Sequence, residues 1–110
     1  MKISEIQSLE QFTCVQEKYT DADIDSGYTS DLLSDVMGNA EEGAVLITIQ
    51  AHKNTIAVSS LAGVGAIIIC NNRPLPNDML SAAAEEGIAV FQTSENQFNT
   101  SVIIAQQLAV

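Results

Sequence analysis

Three glycines, Gly43, Gly65 and Gly87, stand 22 residues apart, and each directly precedes a short apolar run: AVLITI, AIIIC and IAVF. The string AEEG occurs twice, at 40–43 and 84–87. The runs are short, rich in β-branched residues and nearly unbroken, as strands covered on both faces are. A glycine ahead of each suits the left-handed turn that stops a helix before the chain enters a strand. Strand and helix then alternate at a steady period, which means right-handed crossovers and a parallel sheet. The expected fold class is therefore α/β. It is a three-layer α/β/α sandwich with a mostly parallel sheet built from repeating βα units, one domain over residues 1–110.

The segments between the runs carry helical spacing. Ala57, Val58, Leu61 and Ala62 share a face ahead of Gly63. Leu80, Ala83 and Ala84 do the same ahead of Gly87, with Asn77 or Asp78 as the cap. Ser94 to Gln97 matches a capping box, after which Phe98, Val102, Ala105 and Leu108 form an apolar stripe. The first 40 residues are less regular. Ser4 to Gln7 is a second capping-box match with Ile6 and Leu9 on one side, and FTCVQ at 12–16 is a candidate strand. SDLLSDVMGNA contains a short helix capped by Ser30 or Asp31.

Composition then removes whole classes of function. Hydrophobic residues make up 46% and aromatics only 5%, so the core is aliphatic. Fourteen acids against four bases, a net charge of −10, exclude nucleic acid and anionic membrane surfaces as partners, since both demand a positive footprint. The apolar runs fall far short of the roughly 20 residues that span a bilayer. MKISEIQSLEQ lacks a secretory apolar stretch, so the cytoplasm is the expected compartment. Cys14 and Cys70 lie far apart without a CxxC, which indicates neither a disulfide framework nor a zinc site. Asp21 to Gly27 has the acids of a calcium loop, but Ser26 and Leu32 occupy the positions that require glycine and glutamate. That string reads as a solvated acidic loop. No glycine-rich phosphate loop follows a strand, and no serine sits on a sharp elbow. No metal, no cofactor and no catalytic residue are assigned.

Binding is a different matter. In open parallel sheets, ligands gather beyond the carboxyl ends of the strands, near helix N-termini whose free N–H groups favour anions. The loops at that edge carry Gln50, His52, Lys53 and Asn54, then Asn71, Asn72 and Arg73, then Thr93 and Ser94. Half of the four Lys and Arg residues sit there, in a strongly negative chain. These nine residues are the candidate ligand-binding set, with Arg73 gripping a phosphate or carboxylate by two hydrogen bonds and Lys53 acting as a point charge. Connecting loops are polar in any fold, however, and such cations also neutralise nearby acids. A thiol-dependent enzyme is a third reading. It needs Arg73 to lower the Cys70 pKa and His52 to act as base.

The segment from about Tyr28 onward resembles a DRTGG domain. Asp31-Leu32-Leu33-Ser34-Asp35-Val36-Met37, the ITIQAHKN segment and the Ala-Glu-Glu-Gly-Ile before the last strand carry the likeness. Such domains are similar to the N-terminal domain of HPr kinase/phosphorylase and to regions of phosphotransacetylases and of pyrophosphatases with CBS domains. The resemblance implies a small α/β/α sandwich used as a non-catalytic regulatory or assembly module, often dimeric. Free-standing chains of similar sequence are linked to iron–sulfur hydrogenases, yet two dispersed cysteines do not supply a cluster's four thiolates. The Asp-Arg-Thr-Gly-Gly signature itself is absent, its place taken by His52-Lys53 and Asn71-Asn72-Arg73. The resulting expectation is a regulatory module for a small anionic metabolite or a partner protein. The alternative is a structural homo-oligomer, with a dimer favoured, held by a last helix that is apolar on more than one side.

Overall fold

The glycine-marked runs become the centre of one sheet. A computed structural model describes residues 1–108, and the last two positions of the expected domain lie outside the described residues. The elements, in chain order, are α1 (Ile3–Gln7), β1 (Thr13–Gln16), β2 (Gly27–Thr29), α2 (Leu33–Asn39), β3 (Val45–Thr48), α3 (Lys53–Ala62), β4 (Ala66–Ile69), α4 (Asn77–Glu86), β5 (Ala89–Gln92) and α5 (Gln97–Leu108). The strands lie in the order β1-β5-β4-β3-β2. Four of them run parallel, and β1, the FTCVQ segment, closes one edge antiparallel to β5. The α/β/α sandwich with a mostly parallel sheet is thus what the chain forms.

Each central strand divides its side chains between two layers, as the alternation of a strand requires. Val45, Ile47, Ala66, Ile68, Ala89 and Phe91 pack with α1 and α5. Leu46, Ile67, Ile69 and Val90 pack with α2, α3 and α4. All the residues of β3 and β4 are buried, which is why these runs show no polar alternation.

Several local expectations change. Of the three periodic glycines, only Gly87 caps a helix, at φ 69°. Gly63, at φ 76°, does this for α3, and Gly43, at φ 82°, turns in the loop after α2. The periodicity therefore marks strand starts, while α3 and α4 end at the left-handed glycines Gly63 and Gly87. Side-chain caps shift as well. Asn96 Oδ1 accepts from Asn99 N at 2.8 Å, so Asn96 rather than Ser94 opens α5. Pro76 precedes α4 with no side-chain cap, so Asn77 and Asp78 are inside the helix. Glu5 accepts from Lys2 N, which starts α1 earlier than Ser4. Leu32, not Ser30 or Asp31, stands at the N-cap of α2 and makes no side-chain cap.

Two helical faces are also rotated from expectation. α3 buries Thr55, Ile56 and Ser59 and leaves Leu61 77% exposed. α5 buries Thr100 and Ile104, while Phe98 is 75% and Val102 42% exposed. Two of these hydroxyls are hidden with a hydrogen bond, Thr55 Oγ1 donating to Gln50 O and Thr100 Oγ1 accepting from the Cys70 thiol, while Ser59 Oγ is buried without a partner among the described residues. The acidic string near residue 21 ties down the N-terminus. Ser4 donates to Asp21 through both its N–H and its hydroxyl, and Lys2 pairs with Asp23 at 3.5 Å.

Candidate functional site

The carboxyl ends of β3, β4 and β5 are Thr48, Ile69 and Gln92, and the candidate loops leave the sheet side by side. The loop after β4 is a tight turn. Asn71 and Asn72 have φ 60° and 51°, a left-handed pair that asparagine adopts more readily than other side chains do. Their N–H groups donate to Glu95 O (2.9 Å) and Thr93 O (2.8 Å), and Gln92 Nε2 donates to Arg73 O at 2.8 Å. These bonds stitch residues 71–73 to residues 92–95 and leave the side chains of Asn71, Asn72 and Arg73 exposed.

The loop after β3 is organised by a residue that the candidate set omits. One carboxylate oxygen of Asp31 accepts from Thr48 Oγ1, Ile49 N and Gln97 Nε2, each at 2.9 Å. Gln50 Nε2 donates to Asp31 O at 3.1 Å. Asp31 thus joins the segment after β2, the end of β3 and the start of α5. Nothing in the local spacing distinguishes it from seven other acids between Glu17 and Glu42.

The nine candidates divide accordingly. Gln50 is turned onto Asp31. His52 is the N-cap of α3, its Nδ1 accepting from Asn54 N at 3.0 Å. Thr93 is 3% exposed, and its hydroxyl accepts from Glu95 N. Ser94 is exposed. Lys53 and Arg73 are exposed, and among the described residues neither pairs with an acid. Lys53 is the first residue of α3, where the helix dipole disfavours a cation and where the first turn holds no acid.

Cys70 lies beneath this edge. Its side chain is fully buried and its thiol donates to Thr100 Oγ1 at 3.4 Å. Burial raises its pKa, the nearby Asp31 carboxylate adds to the rise, and the Thr100 hydrogen bond opposes it. Arg73 does not activate the thiol, so the premise of thiol catalysis is missing.

Two cavities lie away from this edge. One, of about 210 Å³, runs between β2 and α5 past Gly27, Thr29, Ser101, Ala105 and Leu108. A shallower one of about 390 Å³ lies between β1 and α4. Among the described residues no helix is long and apolar enough to cross a membrane, and no cluster of three His, Cys, Asp or Glu side chains is positioned for a metal.

No family model matches the sequence, and no curated protein matches it. A solved structure does. It comprises the CBS and DRTGG domains of the regulatory region of a Clostridium perfringens pyrophosphatase, complexed with its activator, diadenosine tetraphosphate. It superposes on 94% of this chain with a TM-score of 0.74. The fold is DRTGG-like. At 14% identity the likeness is one of fold, and this chain covers 46% of the other.

Proposed function

We propose that this chain is a non-catalytic regulatory module, a single domain across its length, that takes a small anionic ligand at the carboxyl edge of its sheet. The observation that carries this reading is that, among the described residues, neither Lys53 at the first residue of α3 nor Arg73 on the loop after the neighbouring strand pairs with an acid. In a chain of net charge −10, two cations on one rim that pair with no acid among the described residues provide local attraction for an anion. Arg73 presents two parallel donors, and the exposed amides of Asn71 and Asn72 supply further contacts. Phosphate-bearing metabolites fit this donor set best. The fold likeness to a regulatory region bound to diadenosine tetraphosphate supports testing nucleotides first. In this reading Gln50, His52 and Thr93 hold the loops in place, while Lys53, Asn54, Asn71, Asn72, Arg73 and Ser94 meet the ligand, in an expected cytoplasmic setting.

Thermal shift against diadenosine tetraphosphate, AMP, ATP, pyrophosphate, acyl phosphates and simple carboxylates tests the reading. A ligand at 100 times its Kd stabilises by about 2.7 kcal/mol. Arg73→Ala should then weaken binding by about 1.5–3 kcal/mol, the scale of hydrogen bonds to charged groups. Affinity unchanged in both Arg73→Ala and Lys53→Ala would remove this edge from the site. Assembly from copies of this chain is the second reading, and the exposed stripe of α5 favours it.

A further inference from the structure

The N-cap of α3 is the chain's single histidine, a residue outside the usual Ser, Thr, Asp and Asn set. Those side chains keep an acceptor for the first free N–H groups of a helix throughout the neutral range. An imidazole accepts only through an unprotonated ring nitrogen, and here Nδ1 takes the Asn54 N–H at 3.0 Å. Histidine is also the side chain whose ordinary titration falls nearest neutrality. Once protonated, both of its ring nitrogens are donors, so this cap cannot form. The Asn54 N–H is then free, and a third cation stands at the edge that carries Lys53 and Arg73.

The turn before α3 does not depend on the ring. Ala51 N donates to Ile49 O at 2.9 Å and His52 N to Gln50 O at 3.0 Å. Thr55 Oγ1 donates to Gln50 O at 2.8 Å, and the Gln50 amide is anchored on Asp31 O. The His52 side chain is exposed, so it can leave the cap while the loop stays in place. The charged and titratable groups on the surrounding elements are Lys53 on α3 itself, Asp31 and Asp35 before and within α2, Arg73 and the buried Cys70 after β4, Asp78 in the first turn of α4, and Glu95 after β5. Asp31 accepts from Thr48, Ile49 and Gln97, Asp35 from Tyr28 and Asn39, and Glu95 from Asn99. Among the described residues none of these acids forms an ion pair with His52.

We propose that His52 makes anion binding at the carboxyl edge depend on pH: neutral, its ring closes the start of α3; protonated, it releases the Asn54 N–H and adds its own charge, so an anion is held more tightly. The inference rests on the reading of this edge as an anion site and names how that site is regulated. Without an anion, the imidazolium faces the positive end of the α3 dipole, which disfavours it. With an anion seated there, the ring, the freed N–H and the helix end all point at one negative charge. Protonation and anion binding therefore favour each other, and by linkage each strengthens the other by the same factor. The direction is fixed: affinity rises as pH falls through the histidine range.

The test is an NMR titration of the full chain with sulfate and with diadenosine tetraphosphate, at about pH 8 and about pH 5.5. Sulfate, and a tetraphosphate whose phosphates are all bridging, keep their charge between those values, so any change belongs to the protein. The Kd should fall by about tenfold or more at the lower pH, the scale of one added hydrogen bond between charged groups. His52→Asn retains a cap acceptor but removes the titrating ring, and its Kd should be the same at both pH values. In the ligand-free parent, the Asn54 amide should shift with the same midpoint as the ring of His52, whose signals are unambiguous in a chain with one histidine. Binding that is lost in Arg73→Ala and Lys53→Ala yet equal at the two pH values would overturn the proposal and leave the anion site standing. So would a pH dependence that persists in His52→Asn, or an Asn54 amide indifferent to the ring. No binding of either anion at either pH would overturn the anion site, and this proposal with it.

Discussion

Replacing Asp31 with alanine removes a single oxygen that accepts three donors at 2.9 Å, from Thr48, Ile49 and Gln97. Hydrogen bonds to a charged group contribute about 1.5–3 kcal/mol each when shielded. Asp31 is half-buried and the Gln97 amide can turn to water, so the full sum does not apply. The Thr48 side chain, by contrast, is fully buried and loses its acceptor outright. The expected loss is about 2–4 kcal/mol. With a urea m-value of about 2 kcal/mol/M, the unfolding midpoint falls by about 1–2 M. Asp31→Asn keeps an oxygen in place and should lose about 1 kcal/mol, the difference between a charged and a neutral acceptor. Thr48→Val, alone and combined with Asp31→Ala, isolates the pair, and a coupling of about 0.5–3 kcal/mol is expected. An Asp31→Ala midpoint within error of the parent, or strict additivity with Thr48→Val, would refute Asp31 as the organiser of this edge.

Two further expectations concern stability. Gly63→Ala forces a side chain into φ 76° and brings its Cβ to 2.8 Å from Glu42 Cγ, so it should cost at least about 1–2 kcal/mol in urea unfolding. Gly38→Ala, within α2 with nothing closer than 4 Å to its added Cβ, should instead stabilise by about 0.5–1 kcal/mol. The acid side of the stability profile involves Asp35. The Tyr28 hydroxyl, donating at 2.8 Å, is the largest cause holding the Asp35 carboxyl below its usual range. A lowered carboxylate pKa contributes stability above the unfolded value and loses it as pH falls through the folded one. Tyr28→Phe should therefore be less stable than the parent near neutral pH, and the gap should close below the usual carboxylate range. A gap independent of pH would place the effect in packing rather than in this hydrogen bond.

The layout of strands was legible in the sequence because burial on both faces demands unbroken apolar runs, and AVLITI, AIIIC and IAVF could satisfy little else. Their regular return implied the crossovers and thus a parallel sheet. Helix faces were less legible. α5 is apolar around much of its circumference, so periodicity identified a stripe at Phe98 and Val102 but could not say which side meets the sheet. The position of α5 over β2 and β3 decided that, and a buried Thr100 bonded to Cys70 took the place a hydrophobic residue would be expected to fill. The edge loops followed the same division. Sequence alone placed His52, Lys53 and Arg73 beyond adjacent strand ends, because loop position follows from strand order and direction. Only the folded chain turned His52 into a helix cap, left Lys53 and Arg73 without an acidic partner among the described residues, and brought Asp31 to Thr48 and Gln97, 17 and 66 residues away. Local pattern fixes which segments are strands and helices; contacts between residues far apart in the chain depend on how those segments pack, and no short stretch of sequence records that.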